Sequence, residues 1–129
     1  MINIKYNWEN KTILIAEDAE SNYLFLEAAL KYTKAKVLWA RNGETAIEIC
    51  KMQNPDMVLM DIQMPVMSGY EATKKIKKNN PSIPIIAQTA FAMENDKERI
   101  LSIGCDDYIA KPLKLEVLLE LMDKYLSKK

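Results

Sequence analysis

The chain has 129 residues, about one domain, with 18 Lys and Arg against 18 Asp and Glu, no His, and a formal net charge of zero. Without histidine there is no Ser-His-Asp relay, no imidazole base and no His-ligated zinc, and the even charge balance argues against nucleic-acid binding through a broad basic surface. A hydrophobic share of 49% and a charged share of 28% are ordinary for a water-soluble domain, so any chemistry must come from carboxylates, hydroxyls, lysines or a metal.

Residues 1–10 include Lys5, Trp8 and Glu9, lack the apolar centre of a signal peptide, and read as a leader to a single domain over 11–129. The first β-branched run, 12–16, precedes a helix pattern in which Phe25, Ala28, Ala29 and Tyr32 fall on one stripe. The second run, 36–40, is followed by Arg41-Asn42-Gly43, which is turn and helix-start chemistry, and Asn54-Pro55 closes the helix after it. A third run, 57–60, leads to a helix with Gly69, Ala72, Thr73 and Ile76 on its apolar face and Lys74, Lys75, Lys77 and Lys78 on a solvated one, ended by Asn80-Pro81. The fourth and fifth runs are 83–88 and 107–110, and a final helix aligns Leu115, Leu118, Leu119, Met122 and Leu126. Several runs are nearly continuously apolar, as strands covered on both faces must be. Five βα units in succession predict an α/β domain with a parallel five-stranded sheet.

No stretch is long and apolar enough to cross a bilayer; the longest uncharged one, 79–93, holds two prolines. No direct membrane contact is expected. Cys50 and Cys105 form no CxxC pair and read as small buried hydrophobes in a reducing cytoplasm.

In an open parallel sheet, sites form beyond the carboxyl ends of the strands. The first run is followed there by Glu17 and Asp18, the third by Asp61, the fourth by Thr89 and the fifth by Lys111-Pro112. Asp61 follows Asp18 by 43 residues, Thr89 follows Asp61 by 28, and Lys111 follows Thr89 by 22, or two βα units, then one, then one. With the second strand on the edge, these residues meet at one rim. Three gathered carboxylates repel one another and are costly to bury without a cation. An oxygen-only set suits Mg²⁺. A lysine and a hydroxyl opposite complete a cradle for a phosphoryl group, with one carboxylate as its acceptor.

At these residues the chain closely resembles the receiver domain of two-component response regulators. The matching pieces are Ile15-Ala16-Glu17-Asp18, Met60-Asp61-Ile62-Gln63-Met64-Pro65, Thr89-Ala90 and Asp107-Tyr108-Ile109-Ala110-Lys111-Pro112, within a likeness running from about Lys11 to Leu126. The stretches around Asp61 and Lys111 look most like receivers attached to hybrid sensor histidine kinases. The resemblance implies the doubly wound, flavodoxin-like fold with strand order 2-1-3-4-5. It implies Asp61 as phosphoacceptor, charged by a histidine kinase or a histidine phosphotransfer domain. Asp18 and Glu17 would hold Mg²⁺ with the Asp61 carboxylate and the Gln63 backbone carbonyl. Lys111 and Thr89 would contact the phosphoryl oxygens, Tyr108 would be the aromatic switch, and Lys111-Pro112 would be a cis peptide. Gln63 and Phe91 flank the acceptor and bear on acyl-phosphate lifetime, and Gly69 keeps backbone freedom where the family favours Asp-Gly. A homodimer on the face of the fourth helix, fifth strand and fifth helix is a further expectation.

Taken singly, these residues have plainer readings: Asp61 as a helix cap, Glu17 as a solvated acid, Tyr108 as a strand aromatic. At the level of function, the alternatives are a binding module that is never phosphorylated and an aspartate-nucleophile phosphatase. The latter expects an acid two residues beyond the nucleophile, where Gln63 stands. The absent histidine also means that the chain carries no phosphohistidine of its own.

Overall fold

The computed structural model describes residues 6–90 and 94–127, and side chains within 94–96 are left aside. Ten elements alternate without exception: β1 (Thr12–Ala16), α1 (Glu20–Lys31), β2 (Lys36–Ala40), α2 (Gly43–Gln53), β3 (Met57–Asp61), α3 (Gly69–Asn79), β4 (Ile85–Thr89), α4 (Glu94–Ser102), β5 (Asp107–Ala110) and α5 (Leu115–Leu126). All strand pairs are parallel, in the order β2-β1-β3-β4-β5. The chain therefore adopts the flavodoxin-like arrangement expected from its sequence, with the first strand flanked by the second and third.

Alternate residues of each strand feed two cores, because successive side chains leave a strand on opposite faces. On one face Ile13, Ile15, Leu59, Ile86 and Ile109 pack against α1 and α5 through Leu26, Leu30, Leu118, Leu119 and Met122. On the other, Leu14, Val58, Met60, Ile85 and Ala87 meet Ala46 of α2, Ala72 and Ile76 of α3, and Ile100 of α4. Every residue of β3 and β4 is buried, whereas the edge strand β2 is largely half-exposed.

Helix ends follow local chemistry. The Asn42 side chain caps α2 by accepting from the Thr45 N–H at 2.9 Å, and Asn54 stops it in the left-handed region at φ 46°. Ser68 caps α3 by accepting from the Glu71 N–H.

Three expectations need correction. The buried face of α1 is Tyr23, Leu26, Ala29 and Leu30, while Phe25 and Tyr32 of the expected stripe are 46% and 55% exposed. Both stripes have helical spacing; the one chosen lets Tyr23 stack on Trp39, with ring centres 4.0 Å apart and planes 3° from parallel. The fourth strand runs from Ile85 to Thr89, because Pro84 has no N–H to donate to a ladder. Lys77 is not part of a solvated lysine face: its Nζ lies 2.8 Å from Asp106 Oδ2, and its side chain is 15% exposed.

Before β1, Trp8 is buried in the α1/α5 core and donates its N–H to the Thr33 carbonyl at 2.7 Å. Both cysteines are free thiols, Cys105 buried and Cys50 half-buried, and burial pushes each up to about 11. No described helix is long and apolar enough to cross a membrane.

Candidate phosphoryl-accepting site

The strand order brings the ends of β1, β3, β4 and β5 side by side, and with them Glu17 and Asp18, Asp61, Thr89 and Lys111. One carboxylate oxygen from each of Glu17, Asp18 and Asp61 lies within 4.8 Å of the others. Glu17, Asp61 and Thr89 are buried and Asp18 is exposed, so the cluster opens to solvent on the Asp18 side. Lys111 Nζ sits 3.5 Å from Glu17 Oε1 and 3.6 Å from Asp61 Oδ2.

Each member is fixed from its own surroundings. Asp61 closes β3, and its Oδ1 accepts from the Gln63 N–H at 3.1 Å. Glu17 is turned inward: Oε2 accepts from the Ala19 N–H at 3.2 Å, and Oε1 accepts from Asn22 Nδ2 at 3.3 Å. Its main chain is clamped too, since its N–H donates to the Ala40 carbonyl and its carbonyl accepts from Trp39 Nε1 at 2.8 Å. Trp39 is itself sandwiched between Tyr23 and the Arg41 guanidinium, whose carbon lies 4.1 Å from the ring centre. Lys111 is tied to β4 by its N–H, which donates to the Thr89 carbonyl at 2.8 Å, and it precedes a cis peptide to Pro112.

Gly69 holds the other wall. A Cβ there would stand 2.3 Å from the Asp61 carbonyl oxygen and 2.7 Å from Ile62 Cα, and the Gly69 N–H donates to the Ile62 carbonyl at 2.9 Å. Close approach, rather than a positive φ, is what requires glycine here, which corrects the conformational-freedom reading.

Electrostatics favour a cation at this rim. Burial first, then the adjacent Glu17 through hydrogen bonding and charge, raise the Asp61 carboxyl to about 7, against the opposing pull of Lys111 and the Gln63 N–H. A single ammonium does not neutralise three carboxylates. The donor set is oxygen only, the kind that hard divalent cations take.

Tyr108 lies half-buried in β5, packed against the α2/α3/α4 core, with Lys97 Nζ 5.5 Å from its ring centre. Register places Tyr108 beside Ala87 and Ala110 beside Thr89, so these four residues share one face of the sheet. Phe91 lies outside the described residues. Three residues that motif reading passed over belong to the site's surroundings: Asn22 and Trp39, which hold Glu17, and Gln88, which is the register partner of Asp61. The strand-end rule could have found Gln88, one residue before Thr89; nothing in the sequence marks Trp39 as reaching the Glu17 carbonyl.

The model of the response regulator receiver domain matches residues 13–123. The polar-differentiation response regulator DivK of Brucella anthropi is 39% identical over 119 residues, spanning 91% of this chain and 97% of that protein. Among solved structures, the receiver domain of a Pseudomonas aeruginosa sensor histidine kinase, with a magnesium ion coordinated in its active-site cleft, superposes with TM-score 0.85 at 35% identity, covering 92% of this chain and 98% of that one. The receiver domain of a Saccharomyces cerevisiae response regulator, crystallised with its histidine phosphotransfer protein, gives TM-score 0.85 at 32% identity over 91% of this chain and 89% of that one. Five parallel strands in receiver order, an acidic rim with its lysine and a family match over most of the length agree: the chain belongs to the response regulator receiver domains of two-component signalling.

Proposed function

We propose that Asp61 is the phosphoacceptor and that the domain over 11–129 is charged from a phosphohistidine on a histidine kinase or a histidine phosphotransfer domain. The observation that carries this reading is the acidic rim itself: three carboxylates within 4.8 Å, two of them shared by Lys111. An Asp61 carboxylate oxygen forms the new P–O bond as the donor's N–P bond breaks. The imidazole leaves neutral, keeping the proton on its other ring nitrogen. Lys111 is placed to move from the carboxylates to the incoming phosphoryl oxygens, and the Thr89 hydroxyl stands at the adjacent strand end. The Gln63 N–H keeps Asp61 Oδ1 oriented. Glu17, Asp18, Asp61 and the Gln63 carbonyl would hold Mg²⁺, which supplies charge neutralisation between carboxylate and phosphoryl oxygens when bound.

The added charge, about −2 on an aspartyl phosphate as on other phosphorylated side chains, then draws Thr89 and the chain after it toward the acceptor. Tyr108, sharing a face with Thr89, follows as the aromatic switch, and the surface of α4, β5 and α5 changes. Exposed Leu101 on α4 and Val117 on α5 suit that surface to a homodimer. The free thiols fit a cytoplasmic protein. Hydrolysis of the acyl phosphate by the domain itself would reset the switch, its rate tuned by Gln63 and Phe91. The test is labelling by acetyl phosphate: Mg²⁺-dependent incorporation is expected in the wild type and none in Asp61→Asn. Equal labelling of that variant overturns the assignment.

A further inference from the structure

Gln88 is fully buried, and among the described residues neither its Nε2 nor its Oε1 has a hydrogen-bond partner. Its main chain is satisfied, since its carbonyl accepts from the Ile62 N–H at 3.1 Å, so the penalty falls on the carboxamide alone. Burying an amide without partners is unfavourable, and an apolar side chain of the same size would avoid the cost. The placement is specific. Gln88 pairs in register with Asp61 on one side and Ile109 on the other. Register partners in adjacent strands present side chains to the same face, so the carboxamide stands on the α1/α5 face directly beside the Asp61 side chain. The residues flanking it on that face, Leu59, Ile86 and Ile109, are apolar, which leaves Asp61 as the polar neighbour that register provides.

At rest the Asp61 carboxyl is held by the Gln63 N–H on Oδ1, by a hydrogen bond with Glu17, and by Lys111 at 3.6 Å from Oδ2, an ammonium it shares with Glu17. In the reading proposed above, Lys111 passes to the phosphoryl oxygens when the site is loaded. The buried Asp61 oxygen then loses that partner, with an unpaired amide in the neighbouring strand.

We propose that Gln88 is a positioning residue whose side-chain amide donates to the Asp61 carboxyl oxygen in the phosphoryl-loaded state, so that a group unpaired at rest becomes paired on activation. This rests on Asp61 as phosphoacceptor. The carboxamide thereby biases the domain toward the loaded state, because its hydrogen bond exists only there. The same bond fixes the rotation of the acyl carbonyl relative to the sheet.

The test separates stability from loading. Gln88→Met and Gln88→Leu remove the amide and keep similar volume, and their urea midpoints without metal should equal or exceed the wild type's. Their affinity for beryllofluoride in saturating Mg²⁺ should fall about fivefold, as loss of one hydrogen bond to a carbonyl oxygen requires. In the wild type, the Gln88 side-chain NH₂ resonances should shift on adding beryllofluoride and Mg²⁺, a readout that does not depend on either variant folding. Unchanged beryllofluoride affinity in a folded variant, or unmoved NH₂ resonances, overturns the role of Gln88. Failure of the wild type to bind beryllofluoride at all would instead overturn the phosphoacceptor reading itself.

Discussion

Lys111 Nζ stands 3.6 Å from Asp61 Oδ2 and 3.5 Å from Glu17 Oε1, so one ammonium serves two buried carboxylates from strands that are neighbours only in the folded sheet. The arrangement is a poor rest state for three acids and a good one for receiving both a cation and an anion. Lys111→Met is expected to cost about 1–3 kcal/mol at neutral pH. That is less than a fully buried pair would lose, because the lysine side chain is 24% exposed. Acetyl phosphate labelling should fall at least about tenfold while Mg²⁺ binds as tightly or more tightly, a competing positive charge having gone. Urea unfolding and Mg²⁺ titration measure the two; weaker Mg²⁺ binding in the variant would contradict the electrostatic account.

The pH dependence has a definite sign. The Asp61 carboxyl is raised from 3.8 to about 7, chiefly by burial and then by Glu17. A carboxyl raised on folding takes up a proton between those two values, so its contribution is complete below about pH 4 and is lost as pH rises toward 7. In EDTA the stability of the wild type should therefore decline across that window. Asp61→Asn should remove most of the decline and be more stable above it by a few kcal/mol, and Mg²⁺ should flatten the wild-type profile. A flat metal-free profile would show that Asp61 is ionised throughout.

Gly69 and Gly43 provide a graded steric test. A Cβ at Gly69 meets backbone at 2.3 Å, whereas one at Gly43 meets the Met67 carbonyl at 2.8 Å in a loop. Gly69→Ala should cost about 3 kcal/mol and weaken Mg²⁺ binding by displacing Asp61, and Gly43→Ala about 1–2 kcal/mol without that effect. Equal Mg²⁺ affinities in the two variants would detach the Gly69 contact from the site.

Trp39 gives an optical handle on the acidic rim. Trp39→Phe keeps the ring stack but loses the indole N–H to the Glu17 carbonyl, at a cost of about 1 kcal/mol. A several-fold loss of Mg²⁺ affinity should accompany it. The chain holds two tryptophans, so emission from Trp8→Phe reports on Trp39 and is expected to change on adding Mg²⁺. No change there would mean that the Glu17 clamp does not feel the ion.

What could be read from the sequence was whatever follows from where strands end. Glu17, Asp18, Asp61, Thr89 and Lys111 each follow an apolar run, and strand order does the rest. The face of α1 was not legible, because Phe25 and Tyr32 keep helical spacing as well as Tyr23, Leu26 and Leu30 do, and the stack with Trp39 separates them only in three dimensions. Lys77 looked like its neighbours in a lysine run, and its bond to Asp106 comes from 29 residues away. Gln88 passed unnoticed in a strand for the opposite reason: its interest lies in the partners its carboxamide lacks among the described residues.

The contact at Gly69 joins two elements at the rim of the site with no room for a side chain between them. The first residue of α3 rests on the Asp61 carbonyl and donates its N–H to the Ile62 carbonyl, so the start of α3 is held close against the end of β3. In the phosphoacceptor reading proposed above, a rearrangement at Asp61 would find least room toward α3 and would run instead across the sheet through β4 to β5 and α4, so the proposed switch would take its direction from the side that is held.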